Sequence, residues 1–573
     1  MSENKFDYWW LSGIFVEPAP RPTGFVSSDA DEFDVIVVGT GMSGFASAIH
    51  AHDHGRSVLV LEAADEVGGT TYKSGAGMWV PNNHKMRALG IHDDRDACLD
   101  FMAKVSYPGD YDPQAPRLGM SEWQWDLMNE YYDNASDAIE ALRDAGALNV
   151  TFFRSFTDEY PAMVSYNSHL DNSIQGYYRH LMPQRPDGVE AVGWEMIRQL
   201  GEAVKARGID VRTGHRVQGV IQSPAGEVVG VRATTADGEQ ALYARQGVVF
   251  GTGGFPHNLD IIERHWRGPL YSSCAVPTAQ GDFVTIGEEI GAELGNMKSG
   301  WFYEDLLEKA APHRVCMEGG INVPPGDAMI YVDATGKRIL NEKSIYQERA
   351  QHFFEPGENG DYPNRALFMI YDTQLTTDTR PWLFLDTFIA PKQWIIEGAT
   401  LEELAANIQE RLNGLTSVIG EMHLAADFAE QLAATVERFN GFARSGTDED
   451  FHRGETVHEH DWNGPAREGN DKNRTMYPFT QSGPYFCTIT CGMVLDTNGG
   501  PKTNGRAQVL RADGSVIPGL YGAGNCIANV SGEGYLSGGS TLGPAATFAY
   551  LAAKNVAQEP VRDLASVRGA ATA

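Results

Sequence analysis

The chain has 573 residues, enough for two or three domains, each with its own core. Hydrophobic residues make up 42% and charged residues 21%, an ordinary globular balance, while the 63 glycines fall in clusters that suggest ligand loops. A net charge of −31, from 45 basic and 76 acidic residues, excludes a nucleic-acid partner, because a polyanion would be repelled and no basic tract offsets it.

The first 30 residues read as an extension. MSENKFDYWWLSGIFVEPAPRPTGF lacks the basic start and apolar run of a secretory signal. No stretch reaches the roughly 18 apolar residues of a membrane span. The aromatic run YWWLSGIF allows at most a peripheral membrane contact, and packing within the molecule is the simpler reading. Cys98, Cys274, Cys316, Cys487, Cys491 and Cys526 show neither a disulfide framework nor zinc spacing. Reduced thiols, no metal and a cytoplasmic location are expected.

From Phe33, DVIVV reads as a buried parallel strand. Gly39, Gly41 and Gly44, with Met42 and Ser43 between them, form G-x-G-x-x-G at the following turn. A helix pattern follows, and then SVLVLE ends on Glu62, 18 residues past Gly44, with Ala63 beside it. A carboxylate there can hold both hydroxyls of a ribose, so strand, glycine turn, helix, strand and acid predict a dinucleotide site. A second glycine-rich loop comes directly after and carries Gly69, Thr70, Thr71, Ser74, Gly75, Ala76 and Gly77. A nicotinamide enzyme has no need of it, whereas in flavoproteins the pyrophosphate and ring system lie across such a loop. FAD is therefore the expected cofactor.

Residues 90–200 read as mostly helical. GIDVRTGHRVQGVI reads as a helix exit and a strand passing the adenine, with Val217 as a backbone contact, and QGVVFGTGGFPHN as a buried strand entering a Thr252-Gly253-Gly254 turn. In IYVDATGKRILNEKSIYQERAQHF, the part VDATGKRILNE predicts a strand, a tight turn and a second strand. GLYGAGNCIANV contributes Gly524 and Asn525. Last comes GYLSGGSTLGPA, a run of small residues holding one tyrosine, before the helix ATFAYLAAKNVA. The free N–H groups and positive end of that helix, near Leu542, would aim at whatever is bound in front of them.

The early glycine motifs, FGTGGF, GLYGAGN and GGSTLGPA together resemble the flavoproteins related to fumarate reductase and 3-ketosteroid dehydrogenase, from Phe33 to about residue 556. The resemblance implies an α/β fold with a Rossmann-like FAD-binding domain, discontinuous in sequence (31–300 and 481–573, with a helical insertion at about 90–200), and an α+β catalytic cap domain at 301–480. It implies tight, non-covalent FAD and a cap closing over the flavin. Tyr535 and the N–H of Gly539 match the pair that holds a substrate ketone oxygen in ketosteroid dehydrogenases, where two donors stabilise the developing enolate. Four residues after Asn341-Glu342 the fumarate reductase pattern has an arginine; here Tyr346 stands there, as in the ketosteroid dehydrogenases, and is the expected base. Arg349, three residues on, keeps a fumarate-type reductase as the alternative. A relay tyrosine is matched only loosely, by Tyr160 or by Phe156 in its place.

The implied reaction desaturates a cyclic ketone at its α,β carbons: Tyr535 and Gly539 polarise the ketone, Tyr346 removes the α proton, and hydride passes to the flavin. An outside acceptor such as a quinone or dye reoxidises it. The leading substrate is an apolar 3-ketosteroid dehydrogenated at position 1, ahead of a small cyclic ketone such as cyclohexanone. Tyr535-Leu536-Ser537 also resembles the 4-dehydrogenating branch, in which a serine assists its tyrosine. The aromatics of SGWFYEDL and RPWLFLDTFIAPKQW line either a steroid pocket or the cap core.

Overall fold

The computed structural model describes residues 19–567 apart from 158, 172–175, 313, 317–319, 379, 381–391, 464 and 566. The aromatic run at 8–15 and most of RPWLFLDTFIAPKQW lie outside the described residues. Strand β1 (Glu32–Val38) leads through the first glycine turn into helix α1 (Met42–Asp53), β2 (Val58–Leu61) and the short α2 (Gly69–Lys73). The insertion follows, with β3 (Met78–Trp79), α3 (Arg95–Ser106), α4 (Glu122–Asp144), β4 (Val150–Phe152), β5 (His180–Pro183) and α5 (Gly193–Ala206). It is less helical than expected: β3, β5 and β4 form an antiparallel sheet. These strands are two to four residues long, too short to show an alternating pattern.

The chain returns through β6 (Asp210–Arg212), β7 (Arg216–Gln222), β8 (Val228–Thr235) and β9 (Gly238–Phe250), then α6 (Asp282–Glu289). The cap is built on β10 (Gly300–Leu306), β11 (Met329–Val332), α7 (Tyr346–Gln351), β12 (Leu367–Asp372), β13 (Ile396–Gly398), α8 (Leu401–Gly414), α9 (Phe428–Ser445), α10 (Val457–Trp462) and β14 (Tyr485–Thr497). The last elements are β15 (Gln508–Leu510), β16 (Val516–Gly522) and α11 (Leu542–Val556).

The eight-stranded main sheet runs β15-β16-β9-β1-β2-β6, with β8 pairing β9 and β7 pairing β8. β16, β9, β1, β2 and β6 are mutually parallel. Both faces are covered, which is why β1 reads as an unbroken apolar run: Val35 and Val37 pack toward α1 and α11, while Ile36 and Val38 pack toward β7–β9 and α6. Gly44 lets α1 lie on the turn before it, since a Cβ there would sit 1.9 Å from the Gly39 carbonyl oxygen.

The cap sheet is antiparallel in the order β10-β14-β12-β11, with β13 continuing the edge along β14. Its central strand is Tyr485–Thr497. The second strand expected in VDATGKRILNE is absent. The turn closes through Asp333 N–H to the Lys337 carbonyl at 3.0 Å, and an irregular segment follows, pinned by buried charge. Arg338 pairs with Glu342 (2.8 Å) and Asp448 (2.9 Å), and Arg453 pairs with Glu342 from the other side (3.1 Å). Arg338 and Glu342 prefer each other to a strand ladder, and their cluster holds Ile345 and Tyr346 at the start of α7. Among the described residues no helix is long and apolar enough to cross a membrane.

Substituting Gly44→Ala should destabilise the chain by about 3 kcal/mol, the upper range for overpacking a filled site. Chemical unfolding of the variant against the parent checks this.

Candidate active site

A cleft opens at the C-terminal ends of the parallel strands, where ligands of doubly wound sheets bind, and a buried aromatic cluster lies beside it. The cleft holds about 840 Å³, counting space open to solvent, and is lined by the first glycine turn, the end of β2, α2, the segment at 276–282 and the start of α11. Fourteen of the expected cofactor residues line it: Gly39, Gly41, Met42, Ser43, Glu62, Ala63, Gly69, Thr70, Thr71, Val217, Thr252, Gly253, Asn525 and Leu542. Gly44 lies behind the turn. Gly254 packs against Asp496 and Thr497, where a Cβ would come within 2.3 Å of both side chains. A Cβ on Gly524 would sit 2.4 Å from the Ser43 hydroxyl. Ser74 closes α2 by donating to the Thr71 carbonyl at 2.8 Å, and it accepts the Ala76 N–H at 3.1 Å. Gly75, Ala76 and Gly77 lead away toward the tyrosine ramp rather than lining the cleft.

FAD fits the donors present. α1 and α11 both point uncapped N-termini into the cleft, with Gly41 and Thr541 making no side-chain cap. The Met42 N–H is held by the Thr71 hydroxyl at 3.1 Å, and the remaining first-turn N–H groups suit a pyrophosphate. Glu62 is buried, accepts from the Thr40 hydroxyl and from the N–H groups of Thr40 (3.1 Å) and Ala64 (3.0 Å), and has its carboxyl pushed up by burial. Thr40, His215, Val276, Thr278, Asp282 and Asp496 also line the cleft. Asp496 comes from the cap strand and accepts from Gly254 N–H (3.1 Å), the Asn525 amide (3.0 Å) and Thr497 N–H (2.9 Å). Burial pushes its carboxyl up to about 6.

Beside the cleft lies a buried aromatic cluster between cap and cofactor domain. Tyr346, the first residue of α7, has its hydroxyl 3.2 Å from that of Tyr166. The Tyr346 and Tyr535 rings lie 5.3 Å apart, and their hydroxyls also interact. The Gly539 N–H faces the Tyr535 hydroxyl. Tyr303 packs edge-on to Tyr346 at 4.8 Å, and Trp301 to Tyr535 at 5.2 Å. The indole N–H of Trp301 donates to the Asn525 side chain at 3.2 Å, which links the cluster to the cofactor cleft. Burial drives all three phenols upward, Tyr166 and Tyr346 well above their usual range and Tyr535 to about 12. A second effect acts on Tyr346, since the neighbouring tyrosines disfavour its phenolate.

The structure thus brings Tyr346, Tyr535 and Gly539 together, and it places neither Tyr160 nor Phe156 against Tyr346. Tyr160 stacks on Tyr177 at 6.3 Å, and Phe156 packs on Trp462 at 4.3 Å. Besides Tyr535, the hydroxyl beside Tyr346 belongs to Tyr166, in a loop with no periodicity to flag it. Ser537 does not reach Tyr535: its hydroxyl accepts the Tyr166 backbone N–H at 3.1 Å, and its own N–H donates to Ser540 at 2.9 Å. SGWFYEDL divides as a strand must, with Trp301 and Tyr303 facing the cluster and Phe302 in the cap core. Arg349 is fully buried and spent on its surroundings, pairing with Glu304 at 2.7 Å and donating to the carbonyls of Ser344, Asn322 (2.9 Å) and Ile321 (3.2 Å).

A Rossmann-like sheet, two helix ends aimed into one cleft and a strand-end carboxylate define an FAD-dependent oxidoreductase. The chain belongs to the FAD binding domain family, whose sequence profile matches residues 34–542. It is 29% identical to a 3-oxosteroid 1-dehydrogenase of Mycolicibacterium smegmatis, over 92% of this chain and 97% of that one. It is also 29% identical to a 4-oxocyclohexanecarboxylate 2-dehydrogenase of Sinomonas cyclohexanicum, over 93% and 94%. Its fold matches the 3-ketosteroid delta1-dehydrogenase of Sterolibacterium denitrificans with a TM-score of 0.74 at 24% identity, over 92% of this chain and all of that one.

Substituting Glu62→Ala should weaken FAD retention about 10- to 100-fold, the worth of a hydrogen bond to a charged group. Absorbance of the flavin released on dilution or ultrafiltration measures it.

Proposed function

We propose that this enzyme desaturates a cyclic ketone at its α,β carbons, most specifically a 3-ketosteroid at position 1. The observation that carries this reading is the chain of hydroxyls Tyr166–Tyr346–Tyr535 ending on the Gly539 N–H. Tyr535 and the Gly539 N–H converge as two preorganised donors for a ketone oxygen, and a C–H beside that ketone becomes acidic only when its enolate is held this way. Tyr346, one ring away, takes the α proton as phenolate, and the Tyr166 hydroxyl donates a hydrogen bond to its oxygen. FAD, when bound, supplies the hydride acceptor for the β carbon. The apolar walls of Trp301, Phe156 and Trp462 keep water from the developing charge and suit a hydrocarbon ring system. Gly539, at φ +100°, is where a Cβ would strike the Gly77 backbone at 2.5 Å, so its N–H direction is set by packing.

The same groups serve a smaller ring, and the equal identity to the 4-oxocyclohexanecarboxylate enzyme supports a small cyclic ketone as the second reading. A fumarate-type role is disfavoured, since Arg349 is buried and engaged by Glu304 and three backbone carbonyls. The engagement of Ser537 with Tyr166 and Ser540 disfavours 4-dehydrogenation. A quinone or dye-like compound is the proposed electron acceptor.

The test is anaerobic bleaching of the bound flavin by a Δ4 3-ketosteroid and, separately, by cyclohexanone. Bleaching by the steroid supports the leading reading, bleaching by cyclohexanone alone replaces the substrate and keeps the residues, and bleaching by neither overturns both. Tyr346→Phe should keep its yellow chromophore yet lose about 10²–10⁴-fold in bleaching rate, the usual worth of a positioned base. Because Tyr346 must ionise against burial, kcat/KM should rise with pH about tenfold per unit through neutral and mildly alkaline values. A flat profile would show that Tyr346 is not the base.

A further inference from the structure

We propose that Cys274 and Cys316 form a redox-active dithiol beside the tyrosine cluster, closed to a disulfide by hydrogen peroxide and reopened by thiol reductants. Their segments are distant in sequence but run side by side. The Cys316 N–H donates to the Ser273 carbonyl at 2.9 Å and the Ser273 N–H to the Arg314 carbonyl at 3.2 Å, so Ser273 and Val315 pair as parallel strands. In that register Cys274 and Cys316 are the next pair along and share one face. Their side chains touch.

Buried thiols are ordinarily inert, because the thiolate is poorly solvated. Here the Cys316 sulfur donates to Asp305 Oδ2 at 3.1 Å, which gives its proton a carboxylate to go to. The Lys309 ammonium lies 3.9 Å from the same sulfur and 3.4 Å from Asp305, and Lys73 donates to the Cys316 carbonyl at 3.0 Å. Two cations thus stand around the sulfur that would carry negative charge. Cys274, burial and Asp305 raise the Cys316 thiol too, so Lys309 and the proton-accepting Asp305 are what distinguish it. Cys98, Cys487 and Cys491 are driven well up, chiefly by burial, and the Cys526 thiol is held by the carbonyls of Phe250 and Ala523.

The chemistry balances. The Cys316 proton passes to Asp305 and the sulfur attacks one peroxide oxygen, breaking the O–O bond. The departing hydroxide takes up a proton as water and leaves a sulfenic acid. The Cys274 sulfur then displaces the hydroxyl, forming the S–S bond, and its proton leaves with that hydroxyl as a second water. Two thiols lose two electrons, and one peroxide is reduced to two waters. The oxidant is one that flavin enzymes release when turned over in air. Both cysteines lie in the apolar cluster of Tyr303 and Tyr346, and Tyr303 is the ring packed on Tyr346. Drawing the sulfurs together moves that support, so oxidation should slow ketone turnover. This last consequence rests on the proposed function; the disulfide itself does not.

The experiment treats the holoenzyme with hydrogen peroxide, alkylates it under denaturing conditions, counts thiols and maps peptides without reductant. The expected result is a fall from six free thiols to four, with a peptide joining Cys274 to Cys316 that is lighter by two hydrogens than its parts. Dithiothreitol should restore all six thiols. Cys274→Ser should give no bridged peptide, only sulfinic acid or unchanged thiol at Cys316. Six thiols persisting, oxidation of Cys316 without a bridge in the parent, or a bridge between other cysteines would each overturn the proposal. Turnover of whichever ketone bleaches the flavin should fall on oxidation and recover with dithiothreitol in the parent. If no ketone bleaches it, the functional reading fails while the thiol map still decides the dithiol.

Discussion

Two glycine stretches touching backbone to backbone set the geometry on which the rest depends. Gly77 lies against Gly538 and Gly539, and a Cβ on Gly539 would come within 2.5 Å of the Gly77 carbonyl carbon and the Met78 nitrogen. The Trp79 N–H donates to the Gly539 carbonyl at 3.1 Å, so a segment from the first eighty residues is bonded to one from the last forty. That contact closes the discontinuous cofactor domain. It also directs the Gly539 N–H at the Tyr535 hydroxyl and seats the uncapped start of α11 in the cofactor cleft. No side chain larger than hydrogen satisfies all of this at once.

The cap answers a different constraint, the need to hold one phenol in an apolar place without a loose backbone around it. It does so with charge. Arg338, Glu342, Asp448 and Arg453 are mutually paired and buried below α7, and Arg349 with Glu304 repeats the arrangement one turn along. Buried pairs of this kind add little net stability, but removing one partner is costly, so the segment carrying Tyr346 has a single well-defined position. The same accounting applies to Arg349, three residues past Tyr346, which is held in place by Glu304.

Much of this was legible in the sequence because backbone requirements leave marks. Gly39, Gly41, Glu62, Thr71 and Leu542 were readable from strand, turn and helix order, and the structure gathers them into one cleft. Tyr346, Tyr535 and Gly539 were readable only through family resemblance, since nothing in local periodicity distinguishes a catalytic tyrosine from a packed one. Tyr166 stayed hidden for that reason: it sits in an irregular loop whose path is set by contacts with Ser537 and with the cap. The missing strand after Lys337 failed on energy rather than pattern, because alternation cannot reveal that Arg338 and Glu342 will pair with each other. Asp496 gave no signal either, as its role arises only where a cap strand ends against Gly254 and Asn525.

That last contact has a thermodynamic corollary. Asp496 belongs covalently to the cap sheet, yet its carboxylate gathers donors from two loops of the cofactor cleft. A shared anchor of this kind makes cap position and cofactor occupancy two ends of one coupling free energy, and such coupling is reciprocal. Whatever a correctly seated cap adds to the affinity for FAD, bound FAD returns in equal measure to the seating of the cap. The protein that loses its cofactor therefore also loosens the cap that carries Tyr346.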